Sequence, residues 1–112
     1  LKTSLPLSYY NRGTYYMATK NYAAAKADLD KSIELDSKDS RSFYNRGVVN
    51  FDTGSLDAAL ADLTTAIELN SKHTNSYILR ARIYCRKNLI IAATRDQEIA
   101  IKLGANITRG CR

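Results

Sequence analysis

The chain has 112 residues, the size of one domain, and its 45% apolar and 25% charged content is close to that of ordinary globular proteins, which argues against a disordered chain. One histidine, His73, and two cysteines, Cys85 and Cys111, exclude a four-ligand zinc site, a disulfide framework and most histidine-based catalytic machinery. The net charge of +6 sits entirely in the last third: residues 74–112 hold eight basic and two acidic groups (+6), against +1 for residues 1–39 and −1 for residues 40–73.

Taken in chain order, the elements all read as helices. Pro6 suits a first helical turn, and Tyr9, Tyr16 and Met17 recur at helical spacing, predicting a helix over 7–19. Lys20-Asn21 breaks the pattern, and Tyr22, Ala25, Leu29 and Ile33 resume it over 22–35. Ser40 suits an N-cap for a helix over 41–53 that carries Phe43 and Phe51. Gly54-Ser55 breaks the chain again, before Leu56, Ala59, Leu63 and Ile67 mark a helix over 56–69. Thr74 suits a cap for 75–87, Asn88 marks the next turn, and a last helix over 90–103 ends at Gly104, just past Leu103. No strand pattern competes, and no run approaches the roughly 20 apolar residues of a membrane span.

These six helices are three copies of one pair. Tyr9-Tyr10-Asn11-Arg12-Gly13 returns 34 residues later as Phe43-Tyr44-Asn45-Arg46-Gly47, and residues 6–39 share 16 of 34 positions with residues 40–73. A third copy over 74–107 keeps Arg80, Ala92, Ala93, Asp96, Ala100, Ile101 and Leu103, with 8 identities to the second. A fixed period of this size marks units that bury their apolar faces against their neighbours.

The spacing resembles the tetratricopeptide repeat family, whose 34-residue unit is a helix–turn–helix. Its large aromatic falls on Tyr9, Phe43 and Tyr77, its small residue on Gly13, Gly47 and Ala81, and its second-helix alanine on Ala25, Ala59 and Ala93. Its next aromatic falls on Tyr16 and Tyr84, with Asn50 as a departure; Gln97 stands where the first two units have Leu29 and Leu63, and the unit-ending proline is absent from all three. The resemblance implies one all-α domain over 1–112, an α-solenoid whose repeats at about 6–39, 40–73 and 74–107 form a short right-handed superhelix. It also implies a non-catalytic scaffold that binds a peptide or protein segment in a concave groove lined by the first helix of each pair.

Carried onto this chain, that groove comprises Leu7, Tyr10, Asn11, Thr14 and Met17 in the first unit and Arg41, Tyr44, Asn45, Val48 and Phe51 in the second. Asn75, Ile78, Leu79, Arg82, Cys85 and Arg86 follow in the third. Tyrosine and phenylalanine offer rigid apolar area, and an asparagine amide can both donate to and accept from a peptide backbone. Arg82 and Arg86 lie four apart, where like charges repel and an acidic partner group would relieve them. Some family members clamp a C-terminal carboxylate with lysine and asparagine side chains. Here only Asn45 fits that pattern, with Tyr10, Thr14, Asn75 and Leu79 at the other positions, so no such clamp is expected.

Other features have competing readings. Arg12, Arg46 and Arg80 each precede an aspartate, Asp28, Asp62 and Asp96, by 16 residues, and a helical hairpin brings each pair together as an ion pair. The alternative function is binding of nucleic acid or an acidic partner through Arg82, Arg86, Lys87, Arg95, Arg109 and Arg112; the frame disfavours nucleic acid by placing Tyr77 and Tyr84 in the core rather than on a stacking surface. No nucleophile–base pair, phosphate loop or metal cluster is present, so no enzyme activity, cofactor, metal or small-molecule substrate is expected. A Cys85–Cys111 bond is compatible with the sequence but nothing in it requires one. Ile91 and Ile99 replace residues that face outward in the earlier copies, Ala23 and Asp57, and Lys31 and Thr65. This new apolar stripe predicts self-association through the last helix, a tail folded back through Ile107 to cover it, or a downstream helix of a longer parent protein packed upon it. Nothing fixes the location, and the cytoplasm is the default.

Overall fold

The computed structural model describes residues 5–111 and contains six helices: α1 Leu5–Ala18, α2 Tyr22–Leu35, α3 Ser40–Asp52, α4 Leu56–Leu69, α5 Thr74–Arg86 and α6 Ile90–Lys102. No strand occurs among the described residues. Every boundary lies within two residues of the one read from the periodicity. Lys20, Gly54, Asn88 and Gly104 take the left-handed conformation, with φ of 61°, 86°, 62° and 106°. Each lets two backbone N–H groups turn back to the last carbonyls of its helix. At the end of α6, Gly104 N donates to the Ile101 carbonyl and Ala105 N to that of Ala100, both at 2.9 Å.

Two caps differ from the sequence reading. Ser40 and Thr74 are the first residues of their helices rather than the caps. Asp39 caps α3, its carboxylate accepting from Arg41 N at 3.0 Å. An aspartate satisfies this donor as well as a serine and adds charge at the positive end of the helix. His73 holds the cap position of α5, and its ring meets Ser76 Oγ at 2.8 Å.

Each helix packs on its chain neighbours, and α1, α3 and α5 also touch in turn along one side. The result is a short α-solenoid measuring 45 × 25 × 21 Å. Its core runs along the hairpins as two buried clusters. Ala25, Leu29 and Val49 form one, with Tyr16, Met17 and Tyr22 against it. Ala59, Leu63, Leu79 and Ile83 form the other, with Val48 and Phe51 against it. Close helix approach is set by Gly13 and Gly47: a methyl added at either would meet Leu29 or Leu63 at 3.1 Å.

The three arginine–aspartate pairs form as the spacing predicts. Arg12 meets Asp28 at 2.8 and 2.8 Å, Arg46 meets Asp62 at 2.9 and 2.7 Å, and Arg80 meets Asp96 at 2.7 and 2.8 Å, each through two parallel bonds. The aspartates are buried. Asn50, which departs from the family pattern, donates to Asp62 at 3.0 Å. The arginines also tie each hairpin to the one before it. Arg46 Nη1 donates to Asp30 at 2.9 Å and Arg80 Nη1 to Thr64 Oγ1 at 3.2 Å, and Asp30 and Thr64 are equivalent positions 34 residues apart.

Candidate functional site

The side formed by α1, α3 and α5 carries the residues assigned to the groove. A hollow of about 310 Å³ lies on it between α3 and α5. Tyr44, Val48 and Phe51 line one wall, spaced along α3; Asn75, Ile78, Leu79 and Arg82 of α5 line the other. Asp52, which the sequence reading did not single out, lies at the rim. Leu79 is a correction within that set. It is 6% exposed and belongs to the core with Leu63 and Ile83, so it forms floor rather than accessible surface.

Charge and aromatic rings alternate along this side. The Arg41 guanidinium lies 4.6 Å from the centre of the Tyr10 ring and is held by Asp39 at 2.8 and 3.0 Å. That pairing raises the Arg41 pKa and lowers that of Asp39. Arg82 and Arg86 both face the Phe51 ring, at 5.6 and 4.6 Å, a cation–π arrangement. Neither has a carboxylate partner among the described residues. Tyr44 packs against the His73 ring at 4.8 Å. Burial pushes its phenol pKa up, against the opposing effect of Arg82, so it remains a neutral donor. In the first unit Asn11 is exposed, Thr14 donates to the Tyr10 carbonyl of its own helix at 2.9 Å, and Met17 is half-buried against the core. Asn45 is half-buried on α3, while Leu7 is exposed.

The other basic residues of the last third are less available. Lys87 pairs with Asp57 at 2.6 Å and Arg109 pairs with Glu98. Arg95 is exposed, and Arg112 lies outside the described residues. Tyr77 is buried, its hydroxyl donating to the Ser71 carbonyl at 3.0 Å, and Tyr84 is half-buried. No group of three or more His, Cys, Asp or Glu is placed to hold a metal, and no helix is long and apolar enough to cross a membrane, both among the described residues.

The tail after α6 folds back. Cys111 is bonded to Cys85 of α5 in a disulfide, and Gln97 forms a pair with Gly110, donating to its carbonyl at 3.1 Å and accepting from its N–H at 2.8 Å. Gln97, read from sequence only as a polar replacement for leucine, is thus an anchor for the tail. Ile107 lines a hollow beside α5 with Ile78 and Ala81. The apolar stripe is not covered at its start, where Ile91 is 77% exposed.

Residues 7–39 and 40–73 match the tetratricopeptide repeat model, and the chain belongs to that family. No curated protein sequence matches the chain. Among solved structures, the chain is similar to the first TPR of Spaghetti (RPAP3) bound to the HSP90 peptide SRMEEVD, with a TM-score of 0.89 and 22% identity, over 93% of this chain and 82% of that one. It is also similar to the Yersinia enterocolitica type III secretion chaperone SycD in complex with a peptide of the translocator YopD, with a TM-score of 0.84 and 21% identity over 88% and 76%. The Arabidopsis OM64 TPR domain gives 0.89 and 17% over 93% and 86%. At these identities the likeness is one of fold.

Proposed function

We propose that this chain is a non-catalytic scaffold that binds a peptide or protein segment, preferably acidic, along the α1–α3–α5 side. In this reading the third hairpin is a diverged third repeat, and residues 1–112 act as one domain. The observation that carries it is the hollow between α3 and α5, where Tyr44, Val48 and Phe51 offer apolar area beside Arg82, which has no carboxylate partner among the described residues. Peptides bound by two of the similar structures, RPAP3 and SycD, support the class of ligand. The chain's own residues differ from a lysine–asparagine clamp, so the peptide itself is expected to differ.

Selection of a random dodecapeptide library displayed on phage, followed by fluorescence anisotropy, tests the proposal. Selected peptides should lose most of their affinity for Tyr44→Ala and for Tyr44→Ala with Arg82→Glu. Binding unchanged by both variants would reject the groove. Salt separates this reading from nucleic acid, because phosphate contacts weaken steeply with ionic strength whereas apolar anchoring does not. Self-association through the last helix is a separate element of the proposal, favoured by the exposed run Leu89, Ile90 and Ile91. Light scattering that finds the parent monomeric at high concentration removes it.

A further inference from the structure

We propose that the folded-back tail is the far wall of a second subsite, which takes an aliphatic side chain flanked by carboxylates on an acidic peptide, and that the Cys85–Cys111 disulfide holds this wall in place. The proposal rests on the groove reading and extends it beyond α5.

A hollow of about 670 Å³ opens between α5, α6 and the tail, within the usual range for ligand sites. Ile78 and Arg82 line both this hollow and the one between α3 and α5, so the two adjoin. Its apolar lining comes from Ile78 and Ala81 of α5 and Ile107 of the tail, and its cations are Arg82 and Arg86. These two arginines stand one helical turn apart over a single phenyl ring, without a carboxylate partner among the described residues. Arg12, Arg41, Arg46, Arg80 and Arg109 all have one, and of the other described arginines only the exposed Arg95 also lacks it. A carboxylate would relieve the repulsion between Arg82 and Arg86, and the guanidinium fork suits it in two-point geometry. The acidic groups of this third of the chain are already engaged, Asp96 by Arg80 and Glu98 by Arg109. Among the described residues no carboxylate lines this hollow and Asp52 lies on the adjoining one, so an incoming anion meets a net positive field from Arg82 and Arg86.

The wall depends on the disulfide. Residues 105–111 contain no helix or strand. Among the described residues the other polar anchors of the tail, beyond the Ala105 N bond to the Ala100 carbonyl, are the Gln97–Gly110 pair and the exposed Arg109–Glu98 contact. Such contacts are weak against the entropy of ordering a seven-residue segment. A dithiol reductant supplies two electrons and two protons to the Cys85–Cys111 bond, giving two thiols while it is oxidised to its own disulfide. The tail is then released, and Ile107 leaves the hollow.

The test uses dodecapeptides selected by phage display against the oxidised chain, with anisotropy as the readout. Selected peptides should combine Asp or Glu with Leu, Ile or Met. Their affinity should fall about tenfold or more in Arg86→Glu, the loss of one charge-assisted contact, and by a similar factor in dithiothreitol and in Cys111→Ser, where the apolar contact with Ile107 is lost. Arg86→Glu changes an exposed side chain and stays informative if the cysteine variant folds poorly. Equal or tighter binding after reduction overturns the proposal and makes the tail a plain clasp or a lid. Selected peptides without acidic residues, no selected peptide at all, or displacement of the peptides by oligo-dT in a steeply salt-dependent manner overturns it as well. Tyr44 lines the α3–α5 hollow and not the tail-side one. Loss of binding in Tyr44→Ala without any effect of reduction or Arg86→Glu therefore leaves the groove reading standing and removes this inference. Sensitivity to reduction and Arg86→Glu without any effect of Tyr44→Ala removes the groove reading instead.

Discussion

Replacing Gly47 with leucine tests the seam on which the second hairpin depends. A Cβ at Gly47 would stand 3.1 Å from both Cγ and Cδ2 of Leu63 and 3.5 Å from Cβ of Asp62, against about 3.5–4.0 Å for carbon atoms in comfortable contact. Leu63 is fully buried among Ala59, Leu79 and Ile83, so it cannot yield without moving the core. Two effects oppose each other. Removing a helical glycine gains about 1 kcal/mol. Overpacking costs about 1–3 kcal/mol, and displacing Asp62 weakens its bonds to Arg46 and Asn50, each worth about 1.5–3 kcal/mol because the acceptor is charged. The expected net loss is about 2–4 kcal/mol, or roughly 8–16 °C in Tm at about 4 °C per kcal/mol. Urea denaturation followed by circular dichroism measures it. Adding Leu63→Ala vacates the contested volume, so the double variant should be less destabilised than the sum of the single changes. A Gly47→Leu protein that melts with the parent, or strict additivity with Leu63→Ala, would refute this account of the seam.

Asp62→Asn should cost about 2–3 kcal/mol, towards the lower end for a broken buried pair because Arg46 retains 24% exposure; unchanged urea stability would show that the pair contributes nothing. Burial holds the His73 pKa below its unfolded value, so the folded state binds fewer protons there. Its contribution to stability is complete above about pH 6.5 and is lost as pH falls through the lowered pKa; His73→Gln should remove this part of the slope between pH 7 and pH 5, and an identical slope in both proteins would contradict it. Under oxidising conditions Cys111→Ser should lose up to about 3.5 kcal/mol, from the loop-closure relation for a 26-residue separation. Dithiothreitol should bring the parent to the same stability, and a parent indifferent to reduction would rule this out.

The helices were legible because local signals agreed. Apolar spacing placed their middles, and Lys20, Gly54, Asn88 and Gly104 marked the turns that need positive φ. The 16-residue arginine–aspartate spacing was readable too, since a helical hairpin fixes that distance. What escaped depends on contacts between units or beyond them. Asp30 and Thr64 differ in chemistry, so their shared task of accepting from the next hairpin's arginine left no repeated residue type to notice. The Cys85–Cys111 bond requires knowing that the tail turns back across α5 rather than continuing along the array. Gln97 offered a clue, because an amide at a leucine position asks for a partner, but Gly110 has no side chain to suggest one. Within the candidate groove, helical periodicity grouped Tyr44, Val48 and Phe51 correctly. It could not separate Leu79, which turns inward, from its exposed neighbours on α5.

The two seams between hairpins are built from unlike materials, and this bears on how the array comes apart. Arg46 joins the second hairpin to the first through the carboxylate of Asp30, which is half exposed, whereas Arg80 joins the third to the second through the neutral hydroxyl of Thr64. Ionic strength screens the first linkage and leaves the second almost untouched. In a linear array stability is a sum of unit terms and nearest-neighbour couplings, and because Lys87 also pairs with the exposed Asp57 across the second seam, salt acts on both couplings. At its far end the chain is stitched by a covalent bond that salt does not affect. The array is therefore sensitive to salt at both seams and to redox conditions at its far end.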